Sequence, residues 1–135
     1  MTTARPRPEA DVLVLIAAGG ALGSVLRYVV DAWVPAAGSG GFPWGTLAIN
    51  VAGSFALGLL HTYVPAHPRM PRRVRAVLGA GLLGGFTTFS AYAVQTRTLL
   101  ADGHDLQALA YLLGTLAAAV VAVEVGRLVA PGRSR

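Results

Sequence analysis

The stretch "GGFTTFSAY", Gly84 to Tyr92, interrupts an otherwise apolar run from Val74 to Leu100. Glycine costs a helix interior about 1 kcal/mol against alanine, and threonine and serine hydroxyls compete for backbone groups. In a segment long enough to cross a membrane this composition predicts a helix broken at Gly84-Gly85, with one half ending and another beginning at membrane depth. Irregular backbone is tolerated there only where it is buried in protein or lines a cavity. The ending half presents carbonyl oxygens that suit a hard cation. The restarting half presents amides and the positive end of a helix dipole, which suit an anion. Thr87, Thr88 and Ser90 add hydroxyls. Phe89 and Tyr92 are three apart, so their rings share a face and offer electropositive edges. The competing reading of the same residues is a kinked helix with aromatic packing and capping threonines.

Working outward, 54% of the 135 residues are hydrophobic and 13% charged, which excludes an ordinary soluble domain. Four apolar runs each hold about the 20 residues needed to span ~30 Å of hydrocarbon at ~1.5 Å per residue. They predict helices over about 12–34, 44–64, 74–100 and 106–130. The organisation is therefore a single four-helix transmembrane domain, 12–130, between a basic N-terminal tail, 1–11, expected to be disordered, and a C-terminal tail, 131–135. The loops are too short for a soluble domain, no internal repeat is visible, and the first run lacks a small-residue cleavage pattern, so no cleavable signal peptide is expected. Four helices offer little interior, so an oligomer is expected.

The absence of cysteine excludes disulfides, thiolate metal sites and a cysteine nucleophile. The net charge of +5 comes from arginine alone, in tracts between the apolar runs. That pattern fits membrane topology and an association with the lipid bilayer, and no nucleic-acid role is expected.

Small residues recur at helical spacing in Gly19 with Gly23, Ser54 with Gly58, and Gly81 with Gly85, which close helix packing explains. Asn50 lies about two turns into the second helix, where an amide facing lipid would be costly. It either holds the bundle together by an interhelical hydrogen bond or faces a water-filled path. Tyr111, Thr115 and Ala119 form one stripe on the fourth helix; a threonine hydroxyl there usually bonds back to its own helix. His61, His67 and His104 have no ligand spacing and are assigned no metal. Glu124 with Arg127, and Arg27 with Asp31, are spaced as local ion pairs.

The segments "GGALGSVLRY", "WGTLAINVAGSFALG" and "GLLGGFTTFSAY", followed by "YLLGT" in the fourth helix, resemble the Fluc family of fluoride channels, also called CrcB. The resemblance covers about Leu15 to Ala130. It implies an all-α membrane protein assembled as an antiparallel dimer with two fluoride pores and a structural sodium ion that is not transported. By the motif, the carbonyls of Gly84 and Thr87 would bind that sodium, and Phe89 would be the first pore aromatic. Asn50 would be a pore hydrogen-bond donor and Arg27 a vestibule residue, with Tyr111 and Thr115 on a polar track beside the pore. Thr88, Ser90 and Tyr92 complete the pore set. Tyr92 departs from the family, which usually carries a second phenylalanine there.

The function implied is passive export of toxic cytoplasmic fluoride through the plasma membrane, with no enzymatic step. Fluoride is tightly hydrated, so hydroxyls, the Asn50 amide and ring edges must replace its water. A small multidrug exporter of similar size would need a carboxylate within a span, whereas Asp11 and Asp31 sit at helix ends. A membrane enzyme would need a nucleophile or metal constellation, and none is present. A non-conducting partner subunit would leave the hydroxyl and aromatic run unexplained. Arg5, Arg7, Arg69, Arg72, Arg73, Arg75, Arg133 and Arg135 share one side of a four-span chain. This predicts both termini in the cytoplasm. With such a fixed orientation, an antiparallel dimer requires an oppositely oriented homologue, so a heterodimer is expected ahead of a homodimer.

Overall fold

The computed structural model describes residues 10–34, 41–66 and 70–131. Most of the N-terminal tail, much of the first loop, His67 and Arg69, and the end of the C-terminal tail lie outside them. Helix α1 spans Ala10–Trp33 and α2 Trp44–Ala66. Next come α3, Arg72–Ala76, a π-helical segment, Val77–Leu83, and α4, Gly84–Phe86. Helices α5, Phe89–Ala101, and α6, Asp105–Val129, complete the chain. Four spans are long and apolar enough to cross a membrane: Ala10–Trp33, Trp44–Val64, Arg72–Ala101 and Asp105–Val129. The described residues contain no strand. The first span begins slightly earlier than expected, taking in Ala10 and Asp11.

Two helix pairs form the bundle: α1 lies along the π segment and α4, while α2 lies along α6. Glycines make both approaches possible. A Cβ on Gly23 would run into the Leu82 carbonyl, and one on Gly85 into the Gly20 carbonyl. On the second seam, a Cβ on Gly58 would meet the Val123 carbonyl and one on Gly126 the Phe55 carbonyl. With lipid outside, no hydrophobic force drives the helices together, so backbone-to-backbone packing through small residues supplies the attraction. The spacing of Gly19 with Gly23 and Gly81 with Gly85 serves the first of these seams, between α1 and the third span.

The expected break at Gly84-Gly85 is displaced. Gly84 is helical, with φ −64° and ψ −34°, and α4 runs on to Phe86. The extended residues are Thr87 (φ −74°, ψ 155°) and Thr88 (φ −144°, ψ 121°). The glycine pair offers conformational freedom, but the structure uses Gly85 for its missing side chain. The chain leaves the helix two residues later, where threonine side chains can satisfy what the backbone gives up.

Ion pairing divides in the same way. Glu124 and Arg127 pair at 2.7 Å as their spacing suggests. Arg27 and Asp31 do not pair among the described residues. Asp31 sits instead against Gly45, where an added Cβ would lie 3.0 Å from its Oδ1. That is the first turn of α2, and a helix N-terminus attracts a carboxylate. Asp11 pairs with Arg73 at 2.8 Å, which places the start of α1 and the start of the third span at the same end of the bundle.

Candidate functional site

The site is built around the two extended threonines. Thr87 donates its backbone N–H and its Oγ1 to the same carbonyl, Leu83 O, each at 3.0 Å, closing off the last turn before the break. Thr88 opens the next helix: its Oγ1 accepts from the Ala91 N–H at 3.1 Å, an N-cap worth about 1 kcal/mol. The same hydroxyl shares a 3.2 Å hydrogen bond with Ser90 Oγ.

Asn50 holds the backbone between them. Its Nδ2 donates to the Thr88 carbonyl at 3.0 Å, and its Oδ1 accepts the Thr88 N–H at 2.9 Å. The side-chain amide thus imitates a neighbouring strand and satisfies both backbone groups of an extended residue inside the apolar layer. An unbroken helix would give the Thr88 N–H to the Gly84 carbonyl; that carbonyl is released, and oxygen of this kind is what a hard cation takes. Of the two readings offered for Asn50, the interhelical hydrogen bond is the one these contacts show. It holds the bundle together, and since an amide nitrogen has two N–H donors, one remains beyond the Thr88 bond.

These groups meet at a cavity of about 490 Å³. Its wall includes Asn50, Gly53 and Ser54 of α2, Gly84, Thr87, Thr88, Phe89 and Tyr92 around the break, and Leu112, Thr115 and Ala119 of α6. Phe89 is 80% exposed although it lies mid-span. Its ring stands 5.7 Å from that of Tyr92, tilted by 50°, so the two rings share a face as the spacing requires. The Tyr92 hydroxyl is taken up by the Leu112 carbonyl, to which it donates at 2.6 Å. Thr115 Oγ1 is buried without any hydrogen-bond partner. It does not bond back to its own helix, unlike Thr96 and Thr98, whose hydroxyls donate to the Tyr92 and Val94 carbonyls. The oxygen is enclosed within the protein, so its hydrogen-bonding capacity is left unmet beside the wall.

Not every expected residue reaches this wall. Tyr111 is fully buried behind Tyr92, ring to ring at 5.3 Å, and donates to Gln95 Oε1 at 2.8 Å. Ser90 is exposed and joins the site only through Thr88. Arg27 stands on α1, away from the cavity, with its Nε buried and unpaired. Among the described residues no group of three His, Cys, Asp or Glu side chains could hold a metal ion. Sequence reading missed the Thr88 backbone as the anchor of Asn50, and it missed Gln95. A lone amide within an apolar span was the available signal for Gln95, as it was for Asn50.

The fold and site define a small polytopic membrane protein with a mid-span cavity beside irregular backbone. Residues 14–127 match the family described as CrcB-like protein, Camphor Resistance (CrcB), and the chain belongs to that family. It is 45% identical over 121 residues to fluoride-specific ion channel FluC 2 of Nocardia farcinica, covering 90% of this chain and 86% of that one. It is 41% identical over 114 residues to fluoride-specific ion channel FluC of Rhizobium meliloti, covering 84% and 91%. Against fluoride-specific ion channel FluC 1 of Streptomyces coelicolor it is 44% identical over 121 residues, covering 87% and 75%. These relatives are ion channels by name and not enzymes.

Proposed function

We propose that this chain is a subunit of a fluoride-selective channel through which cytoplasmic fluoride leaves passively down its gradient. The observation that carries this reading is the cavity wall, which brings together Asn50, with one N–H beyond its Thr88 bond, the 80% exposed Phe89 and Thr115. Fluoride gives up its water only to several donors at once. It moves on only if none of them is a fixed charge, and no charged side chain lines this wall. The low dielectric of the surrounding span strengthens each neutral donor.

The same reading takes a second, antiparallel subunit across the open face that carries Phe89. The helix-end carbonyls of Gly84 and Thr87 fit a hard monovalent cation by chemistry. Two oxygens are too few to enclose one, so their counterparts in the second subunit would complete a structural sodium site. The arginine asymmetry favours an oppositely oriented homologue as that subunit, with a second copy of this chain as the alternative. Arg27, unpaired and half-buried, would act on the approach of anions and not on their passage.

The test is efflux from liposomes holding the purified protein, alone and with an oppositely oriented relative, read with a fluoride electrode and compared with chloride. Fluoride release without chloride release is expected. Equal release of both ions, or release of neither in either preparation, would overturn the assignment.

A further inference from the structure

A second cavity of about 290 Å³ lies toward the arginine-rich end, lined by Leu57, Leu60, His61, Val64, Arg75 and Gly79. Leu57 and Gly79 line the mid-span cavity as well, so the two spaces adjoin along α2 and the π segment. The wide turn of a π segment is a recurrent feature of functional sites, and here it places Gly79 between them. Arg73, in the same tract as Arg75, is held by Asp11 at 2.8 Å. Arg75 has no ion-pair or side-chain hydrogen-bond partner among the described residues, and no carboxylate lines the cavity.

We propose that Arg75, in the wall it shares with His61, makes this cavity an anion-gathering mouth that feeds the mid-span cavity from the arginine-rich side. A free guanidinium set in apolar walls focuses its field into the space they enclose. The ligand is a small aqueous anion held weakly, since an exposed charge concentrates ions without trapping them. A phosphate headgroup has the same charge and could come from lipid, so the experiment must separate the two sources. Feeding fluoride in particular rests on the channel reading above, whereas gathering anions does not.

The chain has no cysteine, so His61→Cys introduces a single thiol at the mouth. Its rate of modification by an anionic thiosulfonate is compared with that by a neutral one, in phosphatidylcholine vesicles. Adding Arg75→Gln should lower the anionic-to-neutral ratio by about tenfold, the low end of what a charged cleft contributes. Arg75→Lys should keep the ratio, and Arg72→Gln should leave it unchanged. At about 1 M salt, where the Debye length is ~3 Å, the difference should vanish. An equal fall with Arg72→Gln, or no fall with Arg75→Gln, would overturn the proposal. Phosphatidylglycerol co-purifying with the protein through Arg75 would also overturn it, by making the cavity a headgroup site. Fluoride efflux at low ionic strength should fall in Arg75→Gln by a similar factor. A wild-type protein that passes no fluoride would sink the channel reading, while the thiol ratio still decides the mouth.

Discussion

At the scale of single residues, the site separates groups that support the break from groups that face the cavity. Asn50 does both, so Asn50→Ala should lower fluoride flux and also destabilise the protein by about 1–3 kcal/mol, the cost of leaving the Thr88 backbone groups unpaired. Phe89, 80% exposed, contributes little to its own subunit beyond its ring contact with Tyr92. Phe89→Ile should therefore cut flux at least about tenfold, roughly 1.4 kcal/mol in barrier, with unfolding unchanged. Tyr92→Phe should keep the flux, because the hydroxyl it removes is already bonded to the Leu112 carbonyl and the ring remains in the cavity wall. Flux and thermal unfolding measured on the three variants together check this division. A Phe89→Ile protein that conducts normally would show that the ring is packing alone.

At the scale of elements, the adjacent glycines Gly84 and Gly85 have different duties. A Cβ on Gly85 would strike the Gly20 backbone, which no side-chain motion can relieve, whereas one on Gly84 meets only the Gly79 carbonyl at an ordinary 3.7 Å. Gly85→Ala should part α1 from α4 and cost about 1–3 kcal/mol, the usual range for overpacking. Gly84→Ala should leave the subunit as stable as before, or up to about 1 kcal/mol more stable from helix propensity. Unfolding in mixed detergent ranks the two. The opposite order would mean that Gly84 provides the flexibility its sequence context first suggested.

At the scale of the whole molecule, the Asp11–Arg73 ion pair puts the starts of α1 and the third span at one end, the end that carries the arginine tract. Orientation follows such asymmetry in short loops. Reporter fusions at the C-terminus should accordingly give one dominant, cytoplasmic population. Comparable populations on both sides, together with fluoride flux from this chain alone, would replace the heterodimer with a homodimer that inserts both ways.

Hydrophobic runs and their lengths were enough to place all four spans within a few residues, because crossing ~30 Å of hydrocarbon demands apolar length whatever the packing. The glycine spacing of the α1 seam was legible too, as was Gly58 on α2, since helical periodicity alone puts i and i+4 on one face, whereas Gly126 on α6 was not singled out. The ring pair of Phe89 and Tyr92 was legible for the same reason. The position of the break was not. Gly84, Gly85, Thr87 and Thr88 could all have hosted it, and the choice depends on which backbone atoms a residue 38 positions away can reach, as Asn50 reaches Thr88. The partner of the Tyr92 hydroxyl and the unpaired state of the Thr115 hydroxyl likewise depend on neighbours brought in by α6 and α2. Periodicity is local and so is written in the sequence; hydrogen-bond satisfaction inside a bilayer is settled between helices, and only the tertiary structure decides it.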